Sequence, residues 1–267
     1  MSFQPIIPIG GYAGWKFLQR TQDNQATAFR ESVTIKRDAQ YFRDNIAKAK
    51  TAEDLVSDRR LLRVALGAYG LDEDINNRAF IQRILEDGAL KPDALGQKLS
   101  DKRYLELAKG FGFGDFSVAN TQLSDFPDKV LARFEQAQFE IAIGEQSPDM
   151  RLAMSLDREL GEIAGKDMSD DARWFYVMGN APLRRLFETA LGLPGSFGAL
   201  DLDQQLTGFR EKAERALGMS EIADMDTPEI KEKLTRMFFA RSDNSVASET
   251  VRGSAALALL QSAPTLF

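Results

Sequence analysis

The sequence contains no histidine and no cysteine. Without these residues the chain cannot build a Ser-His-Asp or Cys-His nucleophilic site, a thiolate redox pair or an ordinary zinc site. A ferritin-like di-iron centre is excluded as well, because it requires Glu-x-x-His pairs. The lack of cysteine rules out a disulfide framework but does not fix the cellular compartment. We therefore predict no catalytic, cofactor-binding or metal-binding residues and no cofactor.

Long apolar runs and basic stripes are also missing. The apolar stretches are far shorter than a membrane span, so we expect no membrane insertion. The net charge is -6 and no basic stripe with interleaved aromatic residues occurs, so nucleic acid is not an expected partner. Residues 1–15 lack the basic region and cleavage site of a secretory signal peptide, so none is expected. Hydrophobic residues make up 43% of the chain, enough for a sizeable core.

Two acidic clusters have the first three spacings of a calcium-binding EF-hand loop. Both then fail at the sixth and twelfth positions, where glycine and glutamate are required. We interpret them as acids in the first turns of helices, where they favour the helix dipole. The clusters are Asp72, Asp74 and Asn76, and Asp201, Asp203 and Gln205.

The start and stop signals of helices are frequent in this sequence. Thr51 begins a capping box, which predicts a helix that continues to Gly70. Ser147 and Thr227 each precede a proline, and Ser169 precedes two aspartates, which predicts three more helix starts. Three glycines are placed where a left-handed residue would end a helix. They are Gly144, Gly165 and Gly218.

These signals predict an all-α, multi-helix globular fold of about ten to twelve helices with two related helical lobes. We expect a flexible N-terminus over 1–14, an N-terminal lobe over 15–121 and a C-terminal lobe over 122–240. A flexible tail over 241–267 follows, with a short amphipathic helix over 251–261. Residues 15–50 are predicted to form one long helix, with a possible kink.

One short block occurs three times, at residues 57–71, 100–113 and 180–193. Each copy is an amphipathic helix followed by a glycine and an apolar residue, and the three glycines are Gly70, Gly112 and Gly192. A glycine at positive φ ends a helix, and the next apolar residue packs back on the last turn. The blocks indicate duplicated helical units. The alternative is that three independent helices use the same common stop signal.

Carboxylate-only chemistry remains open to this sequence. Lytic transglycosylases are helical and place a glutamate before a serine, as in Glu31-Ser32. Trp174, Phe175 and Tyr176 could stack on sugar rings. A dipeptide carries little weight, however, because catalysis depends on the geometry of a site, and Trp174 is better interpreted as a core residue.

Four segments carry a family resemblance, at residues 53–71, 134–164, 171–218 and 232–242. Together they closely resemble a bacterial family catalogued as a domain of unknown function, number 1217. The resemblance covers roughly residues 37–242, and its most specific stretch runs from Trp174 to Gly218. Members of the family are helical, come mainly from alphaproteobacteria and are often encoded among flagellar genes. The resemblance implies a flagellar association but no reaction and no catalytic residue.

Two functions are consistent with these observations. The first is a non-enzymatic structural or protein-interaction component of the flagellar system, with flagellar proteins as partners and a cytoplasmic or flagellum-associated location. The second is an enzyme that cleaves peptidoglycan through carboxylates. A cleft that holds a glutamate of strongly raised pKa would favour the enzyme.

Overall fold

The structure is a computed structural model and describes residues 3–99 and 101–242. These residues form thirteen α-helices and five short 3-10 helices, and within them there is no β-strand, which confirms the all-α fold. The α-helices are α1 (Gly11–Arg30), α2 (Val33–Asn45), α3 (Ala52–Ser57), α4 (Arg59–Ala68), α5 (Arg78–Asp87), α6 (Leu95–Lys98), α7 (Arg103–Phe111), α8 (Phe126–Gln146), α9 (Pro148–Ala164), α10 (Asp170–Gly179), α11 (Ala181–Leu191), α12 (Leu202–Leu217) and α13 (228–242).

The predicted helix starts are all present. Thr51 forms the capping box, in which its hydroxyl accepts from Asp54 N–H while the Asp54 carboxylate accepts from the backbone of Thr51. Ser147 and Ser169 each accept a hydrogen bond from a backbone N–H in the first turn of the helix that follows. Thr227 Oγ1 does the same for Ile230 N–H at 3.3 Å. Each cap satisfies a donor that the helix itself leaves unpaired.

The repeated glycine stop is confirmed at all three copies. Gly70, Gly112 and Gly192 have φ of +68°, +69° and +68°. After Gly70, Leu71 N–H donates to Leu66 O at 2.9 Å, the long bond of a Schellman motif. After Gly192, Leu193 N–H donates to Glu188 O at 2.8 Å in the same way. Glycine is needed here because the left-handed conformation is costly for a side chain with a Cβ.

Of the three other glycines predicted to end a helix, only Gly218 does so in the left-handed conformation. Gly218 ends α12 with φ of +81°, as predicted. Gly165 caps α9 in the right-handed conformation, with φ of −78°, so the left-handed prediction is wrong there. The stop predicted at Gly144 is wrong, because this glycine lies inside α8, which continues to Gln146. The helix ends just before Pro148, which is the first residue of α9 and cannot continue a preceding helix.

The long helix predicted over 15–50 is two helices. The chain leaves the α-conformation after Arg30, and Ser32 is extended with ψ of 144°. The restart at Val33 turns the apolar side chains of α2, with Ile35 and Phe42 among them, into the core. The helix predicted from Thr51 to Gly70 is also divided, because Asp58 caps a new helix, α4.

The ends of the described chain carry specific contacts. Near the start, Ile6 N–H donates to Gln25 Oε1 at 2.7 Å, and α1 begins at Gly11, inside the segment expected to be flexible. At the other end, Arg241 and Ser242 are still helical, and Ser242 is buried. The boundary expected between residues 240 and 241 therefore falls inside α13, and the helix predicted over 251–261 lies outside the described residues.

The chain divides into two compact units. The first holds residues 3–7 together with Phe17–Gln146, and the second holds Pro8–Lys16 together with residues 147–242. The sequence predicts a division at 121/122, whereas α8 belongs to the first unit because it packs on α2 and α4. Gly67 allows this close approach, since a Cβ there would lie 2.9 Å from the Phe134 ring of α8.

Each unit has its own core. In the first, α4 is buried along most of its length between α2, α3 and α8. In the second, α10, α11 and α12 contribute a cluster of aromatic rings. Trp174 stacks on Phe209 and meets the edge of Phe187, with ring centroids 5.4 and 5.6 Å away. Among the described residues, no helix combines the length and apolar character required to cross a membrane.

Candidate functional site

A surface depression of about 530 Å³ lies along α2 in the first unit. We call it the α2 depression. Its apolar and aromatic lining comes from Val33 and Tyr41, and its cationic lining comes from Lys36, Arg37 and Arg60. The remaining lining residues are Glu31, Gln40 and Asp44.

Val33 is the first residue of α2 and keeps 67% of its surface exposed, although it is a large apolar residue. Nothing in the helix requires valine there, because the core face of α2 starts two residues later at Ile35. A single exposed apolar side chain is ordinary on a protein surface. This one is unusual because it lines a depression that also holds three cations.

A buried carboxylate fixes the position of Arg60, one of the cations that line the depression. Asp38 is 5% exposed and faces the core side of α2. Its two oxygen atoms accept from Arg60 and Arg63 of α4, each at 3.3 Å. Arg60 also donates to the backbone oxygen of Arg37 at 3.2 Å. Because a buried carboxylate must be paired, these contacts fix α2 against α4.

Tyr41 connects the same surface to the start of α4. Its hydroxyl donates to Asp58 Oδ2 at 2.7 Å, and the guanidinium of Arg60 lies over its ring at 3.9 Å. The hydrogen bond to Asp58 raises the pKa of the Tyr41 hydroxyl. Burial pushes the pKa of Asp58 upward, but hydrogen bonds from Tyr41 and from two backbone N–H groups outweigh it and leave that pKa lowered. Asp58 therefore stays ionised and acts as the N-cap of α4.

The charge of the depression differs from that of the whole chain. Its lining carries three cations and two carboxylates, in a chain of net charge -6. Glu31 is already paired with Lys36 at 2.5 Å, and Asp44 accepts from Gln40 at 2.9 Å. Arg37 is exposed and has no ion-pair partner within the described chain. The depression thus offers an uncompensated cation beside an exposed apolar side chain.

The structure separates the residues of the proposed enzyme. Glu31 follows α1 on the first unit and is exposed, and the hydrogen bond from Lys36 lowers its pKa. A general acid needs the opposite shift. Trp174, on the second unit, is fully buried, and its Nε1 donates to Ser220 O at 2.8 Å, so it is a core residue as predicted. Phe175 is 39% exposed, and Lys166 lies over the ring of Tyr176.

Glu159 is a largely buried carboxylate whose pKa is shifted in the direction that a catalytic acid needs. Burial raises its pKa, although hydrogen bonds from Arg158 and Asn180 oppose the rise. Asn180 is held in turn, because its Oδ1 caps α11 by accepting from Leu183 N–H at 3.1 Å. Burial raises the pKa of Glu135 too, and that carboxylate faces Arg30 at 4.0 Å.

Asp72 and Asp74 of the first acidic cluster tested for calcium, and Gln205 of the second, have protein partners. Asp72 accepts from Gln138 and Asp74 accepts from Tyr104, both at 2.7 Å. Burial and the hydrogen bond to Asp74 raise the pKa of Tyr104 to about 12. In the other cluster Gln205 is buried and bonds the backbone before α12. Within residues 3–99 and 101–242 no three acidic side chains are grouped to hold a metal ion.

The α2 depression was not predicted from the sequence. Asp38 gave a signal, because it falls on the apolar stripe of Ile35, Ala39 and Phe42, and a carboxylate on such a stripe needs a cation from elsewhere. The cations lie 22 and 25 residues further along the chain. No local pattern connects them to Asp38, so the depression is a product of tertiary packing.

The fold and this surface define an all-α protein of two helical units with a braced, cationic depression on one of them. The profile of a family described as "Protein of unknown function (DUF1217)" matches residues 68–230, and the chain belongs to this family. This confirms the family expected from the sequence.

A crystal structure of protein AGR_C_984 from Agrobacterium tumefaciens is similar to this chain, with a TM-score of 0.71 and 24% identity. The similarity covers 90% of this chain and 98% of that one. At this identity it shows the fold alone. No match was found among curated proteins.

Proposed function

We propose that this protein is a non-enzymatic structural or protein-interaction component associated with the bacterial flagellar system, and that the α2 depression is its docking surface. The observation that carries the docking role is Val33, which stays 67% exposed in a depression lined by three cations. A partner that carries an apolar side chain beside acidic groups would complement both features at once.

The rigidity of the depression supports docking further. Asp38, Tyr41 and Asp58 hold α2 and α4 together through hydrogen bonds that involve both helices. A surface that is already ordered loses little conformational freedom when a partner binds. Exposed cations on such a surface steer an acidic partner and determine which partners are accepted.

The flagellar association rests on the resemblance of the sequence to its family. Its partners are proposed to be flagellar proteins, and its location is proposed to be cytoplasmic or flagellum-associated. Deletion of the gene is expected to impair swimming or filament assembly while growth stays normal. Unchanged swimming, in a strain whose motility depends on its flagellum, contradicts the flagellar association.

The alternative is a peptidoglycan-cleaving enzyme, and the raised pKa of Glu159 is the observation in its favour. Such an enzyme needs a carboxylic acid that is protonated near neutral pH. We expect the purified protein not to release fragments from peptidoglycan, and Glu31→Gln and Glu159→Gln to behave like the parent. Turnover that is lost with one of these substitutions would instead support the enzyme.

A further inference from the structure

A second exposed apolar surface lies on the other unit, just before and at the start of α12. Residues 200–203 read Leu-Asp-Leu-Asp, and all four are exposed. Leu200 and Leu202 keep 44% and 59% of their surface in contact with solvent. We call these four residues the acidic leucine segment.

The segment is held in place although it is exposed. The buried side chain of Gln205 donates from Nε2 to Leu200 O at 2.5 Å and accepts at Oε1 from Arg184 at 2.7 Å. Just upstream, Phe197 is buried against the ring of Phe209, with centroids 5.1 Å apart. These contacts order the segment before any partner arrives, which lowers the entropic cost of binding.

The carboxylates of the segment are uncommitted. Asp201 is the N-cap residue of α12 but makes no capping hydrogen bond with its side chain. Neither Asp201 nor Asp203 has an ion-pair partner in the described part of the chain. Two leucines and two free carboxylates therefore face solvent on one short, ordered stretch.

The segment complements the α2 depression in both charge and polarity. The depression offers an exposed valine with Lys36, Arg37 and Arg60, and the segment offers leucines with carboxylates. Val33, Leu200 and Leu202 are all exposed within a single chain, so neither surface is covered by the residues that the structure describes. Electrostatic complementarity between exposed patches of this kind favours one orientation of binding.

We infer that the acidic leucine segment of one copy docks into the α2 depression of a second copy of this chain. This inference rests on the proposed docking role of the depression and names its occupant. The leucines cover Val33, and the aspartates face Arg37 and its cationic neighbours. Each copy carries one depression and one segment, so the contact is head-to-tail. Such a contact continues from copy to copy and gives a ring or an open filament.

The test is sedimentation velocity on the purified full-length chain over a range of concentrations and salt. Wild type is expected to sediment as larger species as concentration rises, and this association is expected to weaken in high salt because exposed charges are screened. Val33→Asp and Leu202→Lys are each expected to weaken association at least about tenfold, since each places a like charge in the contact. Val118→Asp is the matched control, because Val118 is 62% exposed, lies between α7 and α8 and does not line the α2 depression.

Mixing the two weakened variants identifies the geometry. Val33→Asp keeps an intact segment and Leu202→Lys keeps an intact depression, so an equal mixture is expected to form a dimer and nothing larger. A mixture that stays monomeric overturns the head-to-tail contact. Wild type that remains monomeric at every concentration overturns the inference as a whole, as does a control that dissociates like Val33→Asp.

If these variants unfold, exchanging the charges of the two surfaces provides a second test. Arg37→Glu alone and Asp203→Lys alone are expected to weaken association, and the chain that carries both is expected to regain it, because each copy then presents matched charges again. No recovery in the double variant counts against the inference. A monomeric wild type would leave the flagellar role open, because swimming of the deletion strain tests that role separately.

Discussion

Gly70 and Gly192 hold helix ends that no other residue can form without strain. Both have φ of +68°, and a Cβ at Gly192 would also lie 3.3 Å from Arg241 Nε. Replacing either glycine with valine is expected to destabilise the fold by about 1 kcal/mol or more, since a β-branched residue is poorly tolerated in the left-handed region. Thermal unfolding measures the loss.

Gly195→Val is the matched control for these two substitutions. Gly195 has no positive φ, and nothing lies within 4 Å of a Cβ built there. We expect its melting temperature to stay close to that of wild type. If Gly192→Val has the same melting temperature as Gly195→Val, the left-handed glycine at the end of the helix contributes little to stability.

Glu159 is expected to make stability depend on pH. Burial raises the pKa of its carboxyl in the folded chain, so the folded state binds this proton more tightly than the unfolded state does. Stability from this group is therefore greatest below the unfolded pKa of about 4.3 and falls as pH rises through the folded pKa. Glu159→Gln removes that dependence.

Urea unfolding of wild type and Glu159→Gln at about pH 5 and about pH 8 checks this sign. The variant is expected to gain stability relative to wild type as pH rises. A difference that is the same at both pH values would show that Glu159 keeps an ordinary pKa in the folded protein.

At the scale of residues, the sequence identified the positions whose role is local. Thr51, Ser147 and Gly192 act within one turn of the residues they cap, so their signals lie side by side in the chain. Val33 and Asp38 could not be assigned in this way. Their importance comes from Arg60, and α4 brings that residue to them only after folding.

At the scale of elements, α3–α4–α5 and α10–α11–α12 follow the same course. Asp58 and Asn180 each end one helix and cap the next, with φ, ψ of −91°, 103° and −95°, 103°. The second helix in each case ends in a Schellman glycine, and a 3-10 helix follows it. This parallel supports a duplication of the helical unit.

At each of these two helix ends, an arginine from another helix donates a hydrogen bond to a backbone carbonyl. Arg103 of α7 donates to Gly70 O, and Arg241 of α13 donates to Ala190 O. A cation at the last carbonyls of a helix pairs with orphan acceptors and with the negative end of the dipole. If the duplication is real, superposing α3–α4–α5 on α10–α11–α12 will bring the two arginines to the same side of the stop. Unrelated surroundings would leave only a shared stop signal.

The shared caps predict matching energetic effects. Asp58→Ala and Asn180→Ala are each expected to destabilise the protein by about 1–2 kcal/mol, because each leaves first-turn N–H groups without an acceptor. Asp201→Ala is the control, since Asp201 occupies an N-cap position without a side-chain capping bond. Chemical denaturation of the three variants measures the effects. A loss at Asp201 as large as that at Asp58 would contradict the assignment.

Some element boundaries could not be predicted from local sequence signals. Residues 31–34, at the break between α1 and α2, read Glu-Ser-Val-Thr and include no proline or glycine. The helix restarts where Ile35 and Phe42 can enter the core, and this depends on α4 and α8. The same packing places α8 in the first unit, beyond the division expected from turn residues near its start.

At the scale of the whole molecule, the proposed function depends on a docking surface and not on a catalytic group. The carboxylates of Asp72, Asp74 and Glu159 are bound by side chains of their own unit. The α2 depression instead leaves Val33 and Arg37 open to solvent. Its proposed role can therefore be tested by changing residues that the fold does not need.

The most direct measurement is swimming of a deletion strain that carries wild type, Val33→Asp or Val118→Asp at matched protein levels. Both valines are exposed, at 67% and 62%, so both variants are expected to fold and accumulate normally. We predict that wild type and Val118→Asp restore swimming and that Val33→Asp does not, because only Val33 lines the depression. Full swimming with Val33→Asp would contradict the proposed role of the α2 depression.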